Sequence, residues 1–508
     1  MNDVFLGKGE QAVHLLGRYG NRHGLIAGAT GTGKSVSLMV LAEGFSRIGV
    51  PVFLADVKGD LAGLSQAAVA NDKLNARIAK LSMSDWQAAA NPVVFWDIHG
   101  HKGHPVRTTV SEMGPELLSR LLELNDTQEG VIQIAFKVAD DHGLLLLDLD
   151  DLRAMLAYVG EHAKEISMRY GLVAPQSIGA IQRALLQLDN QGGGKFFGEP
   201  ALDLNDFIRC DLSGRGIINV LAADLLILKP RVYTSFLLWM LSELLEKLPE
   251  VGDADRPRLV FFFDEAHLLF NDAPPALKQR VEQVVRLIRS KGVGIYFISQ
   301  LPDDVPDAVL GQLGNRVQHA LRAFTPRDQK AVKAAAETFP PNPHFQVIDA
   351  ITKLGVGEAL VTTLQEGGVP LPVERALIAP PRSRIGTISD EERARVRGAS
   401  PVGAKYDTAI NRESAYERLR QRATEAAPAP SPSASPGNNP PAKTPTPDPV
   451  ATGSTGPDWG DRVKGFLFGT SRRQGALEAF AKSAMRNAGN RLTNQILRGV
   501  LGGVSRRR

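Results

Sequence analysis

Gly28-Ala29-Thr30-Gly31-Thr32-Gly33-Lys34-Ser35 has the spacing G-x-x-x-x-G-K-[ST], and those residue types suit one task, holding a polyphosphate. The glycines let the backbone curl so that its amides face inward, and the helix that follows adds its positive end. Lys34 then reaches the outer phosphates and the Ser35 hydroxyl meets a magnesium ion. An ordinary glycine-rich turn is the alternative, but an apolar run precedes the stretch and an amphipathic run, 36–49, follows it, which is the strand and helix context the chemistry requires. A second candidate is the apolar run 259–263 ending in Asp264-Glu265. A buried parallel strand presents such acids at its catalytic end, where Asp264 orients the magnesium shell and Glu265 polarises a water for attack on the γ-phosphate of ATP. A third is the strand 293–298, which ends at Ser299-Gln300 and sets the Gln300 side chain beside the γ-phosphate. Asp56-Val-Lys-Gly-Asp60 follows a strand at 52–55, so Asp56 is either near the magnesium or part of a plain turn.

The elements that must position these residues alternate between strand and helix. The strand before Gly28, the helix 35–49 and the strand 52–55 form a βαβ unit after a small lead-in. The rhythm returns at Gly216, with strands at 217–221, 259–263, 293–298 and 316–321 and helices at 231–248, 276–289, 305–313 and 326–337. Closing strands are expected near 358–363 and 373–378. The fold class is therefore α/β, a phosphate-loop sheet with helices on both faces, in a domain made of residues 1–60 and 213–400. Between them, 61–212 is a mainly helical insertion, with helical periodicity at 61–83, 114–124, 127–140, 149–170 and 175–188. Two strands, 93–98 and 106–110, are expected there as a hairpin turning on Gly100 and Gly103. His99, His101 and His104 fall in that turn; without a cysteine or nearby acid they read as a solvated turn in preference to a metal site.

Composition narrows the function classes. The 508 residues are 43% hydrophobic and 22% charged, with no apolar run near the ~20 residues of a membrane helix, no basic-then-apolar N-terminus and one cysteine, Cys210. A cytoplasmic chain with no transmembrane segment is expected. The net charge of +4 sits in the tail: residues 458–508 hold 11 basic and 3 acidic side chains, which leaves the rest weakly acidic. Such a body does not look like a general nucleic-acid binder, although a basic channel can hide in a neutral average.

The order of these motifs resembles the HerA and FtsK group of hexameric ATPases, and the whole chain is most similar to the YjgR family of HerA-like nucleoside-triphosphate hydrolases. The likeness is carried by 28–35, 56–60, Phe263-Asp-Glu-Ala-His267, the run 286–300, Gly314-Asn-Arg316 and 354–361. It implies a RecA/ASCE-type ATPase that uses ATP and Mg2+, works as a homo-hexamer and moves a polymer, double-stranded DNA by family analogy. In those relatives an arginine eleven positions before the sensor glutamine enters the neighbouring subunit's site, and counting back from Gln300 gives Arg289. A guanidinium brought from outside suits charge developing on a transferring phosphoryl group; a solvated charge in a helix's last turn is the bland alternative. Arg316 and Arg322 are weaker candidates for a similar part, and His267 is a polar residue near the site. The resemblance has two gaps. The 27 residues before Gly28 leave no room for the β-barrel of HerA enzymes, and neither the membrane spans nor a clear winged helix of FtsK translocases is seen.

Residues 401–457 read as a charged segment and a disordered linker, with ten prolines within 424–457. Residues 458–508 read as a basic amphipathic helical tail that docks on the body or a neighbouring subunit, with a protein partner, a membrane surface or nucleic acid as rivals. Two functions of different class follow: a ring ATPase coupled to DNA translocation or processing, or a nucleotide-dependent scaffold or switch that controls assembly and recruitment. A kinase is disfavoured, because Glu265 is better explained as a water-orienting base.

Overall fold

A computed structural model of the chain describes residues 2–252, 254–270, 274–323 and 325–425. Among them one mixed sheet carries, in chain order, β1 (Asp3–Lys8), β2 (Ala12–Leu16), β3 (Gly24–Ala27), β4 (Val52–Asp56), β5 (Val93–Asp97), β6 (His104–Pro105), β7 (Ile218–Ala222), β8 (Leu259–Phe263), β9 (Val293–Ser299), β10 (Asn315–Gln318), β11 (Glu358–Thr362) and β12 (Glu374–Ile378). Across the sheet they run β2-β1-β12-β11-β10-β3-β9-β8-β4-β7-β5-β6. From β10 to β6 every neighbouring pair is parallel, and from β10 to β2 every pair is antiparallel. This is the α/β architecture expected from the sequence. The parallel part sets the site: β3 lies beside β9, β9 beside β8 and β8 beside β4, so the ends of four candidate-bearing strands come to one edge.

The strand sequences explain why the sheet is covered on both faces. Along β8 the side chains alternate: Val260 and Phe262 join the core under the helix Lys34–Arg47, where Phe262 meets Phe45 and Tyr296 at ring distances of 6.4 and 5.1 Å. Phe261 faces the other way, 5.1 Å from Phe53, which in turn meets Phe236 of the helix Pro230–Lys247. Each phenylalanine buried this way contributes about 2 kcal/mol, and strands buried on both faces read as continuous apolar runs.

Several local expectations gave way to tertiary contacts. The lead-in forms the β1–β2 hairpin, which extends the sheet beside β12. Residues 93–97 are a strand paired with β7, and β6 runs parallel to β5 at the sheet's end instead of turning back as a hairpin. Gly103 explains the approach: a Cβ there would stand 2.5 Å from the Phe95 backbone. The helix expected over 61–83 is confined to Asp72–Lys80. Before it the backbone pairs with residues 382–386, through Gly63 N to Gly386 O, Arg384 N to Gln66 O and Ala68 N to Arg382 O at 2.9 Å each.

The chain divides into two compact units, Met1–Glu123 with Leu186–Asn411, and Leu124–Leu185 with the segment from Arg412. The first contains the sheet. In the second, the helices Asp126–Asp141, Leu149–Glu161 and Ala163–Tyr170 are joined by Ala415–Glu425, pinned where the Asp151 carboxylate accepts from Ser414 Oγ at 2.5 Å and Tyr416 N at 2.8 Å. Most of the proline-rich stretch and all of the basic tail lie outside the described residues. Among the described residues no helix is long and apolar enough to cross a membrane.

Candidate functional site

The turn from Gly28 to Gly33 joins β3 to the helix Lys34–Arg47, and Gly33 in the left-handed region caps that helix. Ala29 N donates to Ala320 O at 2.9 Å and Gly28 N to Ser299 O at 3.3 Å, which ties the loop to the strand ends on either side. Lys34 is buried, and its Nζ donates to Gly28 O at 2.7 Å and Ala29 O at 3.2 Å. Burial, with the nearby Lys58 ammonium, holds Lys34 below the ordinary lysine value. A phosphate arriving in the loop would therefore meet a lysine already dehydrated and held by its own loop carbonyls.

Across β9, the end of β8 supplies Asp264 and Glu265, 7% exposed each. Asp264 Oδ1 accepts the Glu265 amide at 3.0 Å, and burial followed by the Glu265 charge raises the Asp264 carboxyl to about 6 despite Lys58. Glu265 has φ +49, a conformation a non-glycine residue adopts at a cost of about 1–3 kcal/mol and one that clusters at functional sites. Its Oε1 accepts from Lys58 Nζ at 2.5 Å. Its buried Oε2 lies 3.3 Å from His267 Nδ1 without hydrogen-bond geometry. Burial alone would raise the Glu265 carboxyl, but the Lys58 bond outweighs it and the group sits below its usual value, ionised at neutral pH.

The turn after β4 enters the same cluster. Parallel pairing of Ala55 with Phe263 brings Asp56 level with Asp264. Asp56 Oδ1 accepts Gly59 N at 2.7 Å and Oδ2 accepts Leu61 N at 3.2 Å, so the carboxylate shapes its own turn. Burial and the Asp60 charge raise Asp56 to about 7. Asp60 Oδ1 is buried without a hydrogen-bond partner.

His319, just past β10, supports the loop from below. Its Nε2 lies 2.8 Å from Ser37 Oγ and its Nδ1 3.0 Å from Glu358 O; a carbonyl only accepts, so Nδ1 carries the proton and Nε2 accepts from the hydroxyl. A Cβ on Gly28 would stand 2.5 Å from His319 Cβ, so position 28 needs glycine for space. Burial holds His319 down to about 4. The folded state thus binds fewer protons than the unfolded chain between that value and 6.5, and the histidine's contribution is lost as pH falls through this window. The stability gap between the unsubstituted protein and His319→Gln should accordingly narrow by about 2 kcal/mol from pH 7 to pH 5, measured by denaturant unfolding. A gap that does not change with pH would show that the imidazole is not held neutral in the fold.

Gln300 is exposed at the end of β9, next to Ser299, whose carbonyl holds the loop. Arg289 lies at the other edge of the sheet: it precedes β9, and its carbonyl accepts from Asn21 Nδ2 at 3.3 Å just before β3 begins. The seven residues of β9 put about 23 Å between that edge and the phosphate loop. Arg289 therefore does not reach the nucleotide loop of its own chain. Arg316 spends its guanidinium on the carbonyls of Leu313, Leu310 and Thr338, and Arg322 is exposed. In the 99–104 turn, His104 Nδ1 bonds Asp407 Oδ1 at 2.8 Å and His99 Nε2 lies 3.4 Å from Lys229 Nζ.

The family model for the helicase HerA-like C-terminal region matches residues 3–508. The chain belongs to that family. A probable helicase, MJECL08, from Methanocaldococcus jannaschii is 29% identical to this HerA-like chain over 131 residues, 25% of this chain and 23% of that protein. The match thus takes in less than a quarter of the relative's length. Among solved structures, the bacterial conjugative coupling protein TrwB in an unbound form is 15% identical, with TM-score 0.46 over 72% of this chain and 87% of that one. VirB4 of Thermoanaerobacter pseudethanolicus is 16% identical, with TM-score 0.42 over 77% and 97%.

The donors of the HerA-like chain fit a magnesium ion. Ser35 opens the helix beside Lys34, Asp264 offers a carboxylate, and the surroundings hold an orphaned buried Asp60 oxygen and two carboxyls raised first by burial and then by neighbouring acids. Hydroxyl and carboxylate oxygens are the hard ligands this ion takes, with phosphate and water completing the shell. Among the described residues no group of three or more His, Cys, Asp or Glu could hold a metal by itself. Lys58 and His319 were not among the sequence candidates. The signal for Lys58 was the cation inside an acidic turn at a strand end; His319 left none, because its role depends on β10 lying beside β3.

Proposed function

We propose that this HerA-like chain hydrolyses Mg-ATP at a site completed by a neighbouring subunit of a ring, and that hydrolysis drives movement or processing of double-stranded DNA. The observation that carries the reading is the placement of an ionised, buried Glu265 on the strand edge that also presents Lys34, with a strand ending in Gln300 between them. Lys34 and the loop amides bind the phosphates, Gln300 orients a water beside the γ-phosphate, and the Glu265 carboxylate accepts a proton from that water as its oxygen attacks phosphorus. ADP then leaves with the electron pair of the broken bond. Magnesium, when held by Ser35 and Asp264, would neutralise charge on the phosphate oxygens. Arg289, at the far edge of its own sheet, serves the site of the next subunit.

Phosphate release measured with and without double-stranded DNA, at low and high salt, tests the coupling. Stimulation that fades with salt is expected of a motor whose basic groups grip the DNA backbone. Hydrolysis indifferent to DNA, with particle mass following nucleotide occupancy, is expected of the other reading, a nucleotide-dependent scaffold or switch. Particle mass with and without Mg-ATP tests the ring directly, since a strict monomer in both conditions would leave Arg289 without a recipient.

A further inference from the structure

Among the described residues Lys58 is the cation hydrogen-bonded to the proposed base, and the fold has little need of it. The turn carrying it is already held by the two amides that Asp56 accepts. Its side chain is 45% exposed, while that of Glu265 is buried. A pair with one partner in water contributes little to stability. What the pair does is occupy Glu265 Oε1 at 2.5 Å. Lys58, in the turn after β4, and Lys34, after the loop that follows β3, stand at the same edge of the sheet. The outermost phosphate, bound by Lys34, arrives within the field of both lysines, carrying more charge than a single carboxylate.

We propose that Lys58 is a latch: it is paired with Glu265 while the nucleotide site is empty, and it passes to the γ-phosphate when ATP binds, releasing Glu265 to activate water. Lys58 is thus a residue that distinguishes ATP from ADP, because only ATP has the phosphate that draws it away. Its exposure and its long flexible stem suit such a transfer, as does the compact ammonium, which can donate to carboxylate or phosphate in turn. The latch rests on the ATP-site reading given above.

The test measures equilibrium binding of Mg2+ with a non-hydrolysable β,γ-imido ATP analogue, and of Mg-ADP, to the full chain and to Lys58→Met, Glu265→Gln and the double variant. In Lys58→Met the analogue should weaken about tenfold or more while ADP changes by less than about twofold, which also shows that the variant is folded. Glu265→Gln frees Lys58 in advance, so it should tighten the analogue about threefold or more, and the double variant should lose that gain. Equal weakening of both nucleotides in Lys58→Met, or a Glu265→Gln gain that persists without Lys58, would overturn the latch and leave the ATP site standing. Failure of the unsubstituted protein to bind either nucleotide would overturn the ATP-site reading, and the latch with it.

Discussion

Replacing Glu265 by Gln is expected to lower ATP turnover by about a thousandfold while ATP still binds. The substitution keeps the shape of the side chain and puts no new demand on the φ of +49 at this position. Lys34, Ser35 and Asp264 remain to hold the phosphates and the metal. What disappears is the group that accepts the proton of the attacking water, since a neutral amide oxygen is too weak a base to replace a carboxylate that is ionised at neutral pH. Phosphate release and equilibrium binding, measured on the same preparation, separate the two effects. Turnover at the parental rate would remove Glu265 from the chemistry.

Arg289→Ala is expected to cost about a thousandfold in turnover with little change in nucleotide affinity, because a guanidinium supplied from outside acts on charge that develops only as the phosphoryl group transfers. The sheet explains why the donor must be a second chain: Arg289 precedes β9 and contacts Asn21 at the edge opposite the loop. A mixing experiment follows from that geometry. Subunits carrying Arg289→Ala keep an intact Glu265, and subunits carrying Glu265→Gln keep an intact Arg289. Mixed in equal amounts before assembly, two inactive proteins should regain about a quarter of the parental rate, the share of interfaces that pair an intact base with an intact arginine in a closed ring. Mixtures as inactive as their components would contradict a shared site.

Sequence alone carried the parts of the site that are local. Gly28 to Ser35 and Asp264-Glu265 are each a strand end with its following turn, so spacing and apolar context within about ten residues were sufficient to find them. The same holds for Gln300 and for the helices Asp126–Asp141 and Pro230–Lys247. What was not legible depends on register between distant strands. Lys58 and Glu265 are 207 positions apart, and Ser37 and His319 are 282 apart. They meet because β4 pairs with β8 and β10 with β3. The misplaced elements failed for a related reason: in 61–71 backbone pairing with 382–386 outcompeted helical periodicity, and Gly103 let the chain pass against β5 where a hairpin was expected. The Arg289 position was reached by counting from Gln300, but its place on the far edge emerges only from the sheet.

Release of inorganic phosphate from ATP by the 508-residue chain, followed in magnesium and in excess chelator with Lys34→Ala alongside, tests the proposed activity most directly. Many turnovers per site in magnesium are predicted, with none in chelator and none from Lys34→Ala. A protein that binds Mg-ATP tightly yet leaves it intact over many hours would contradict the assignment of Glu265, and with it the enzyme.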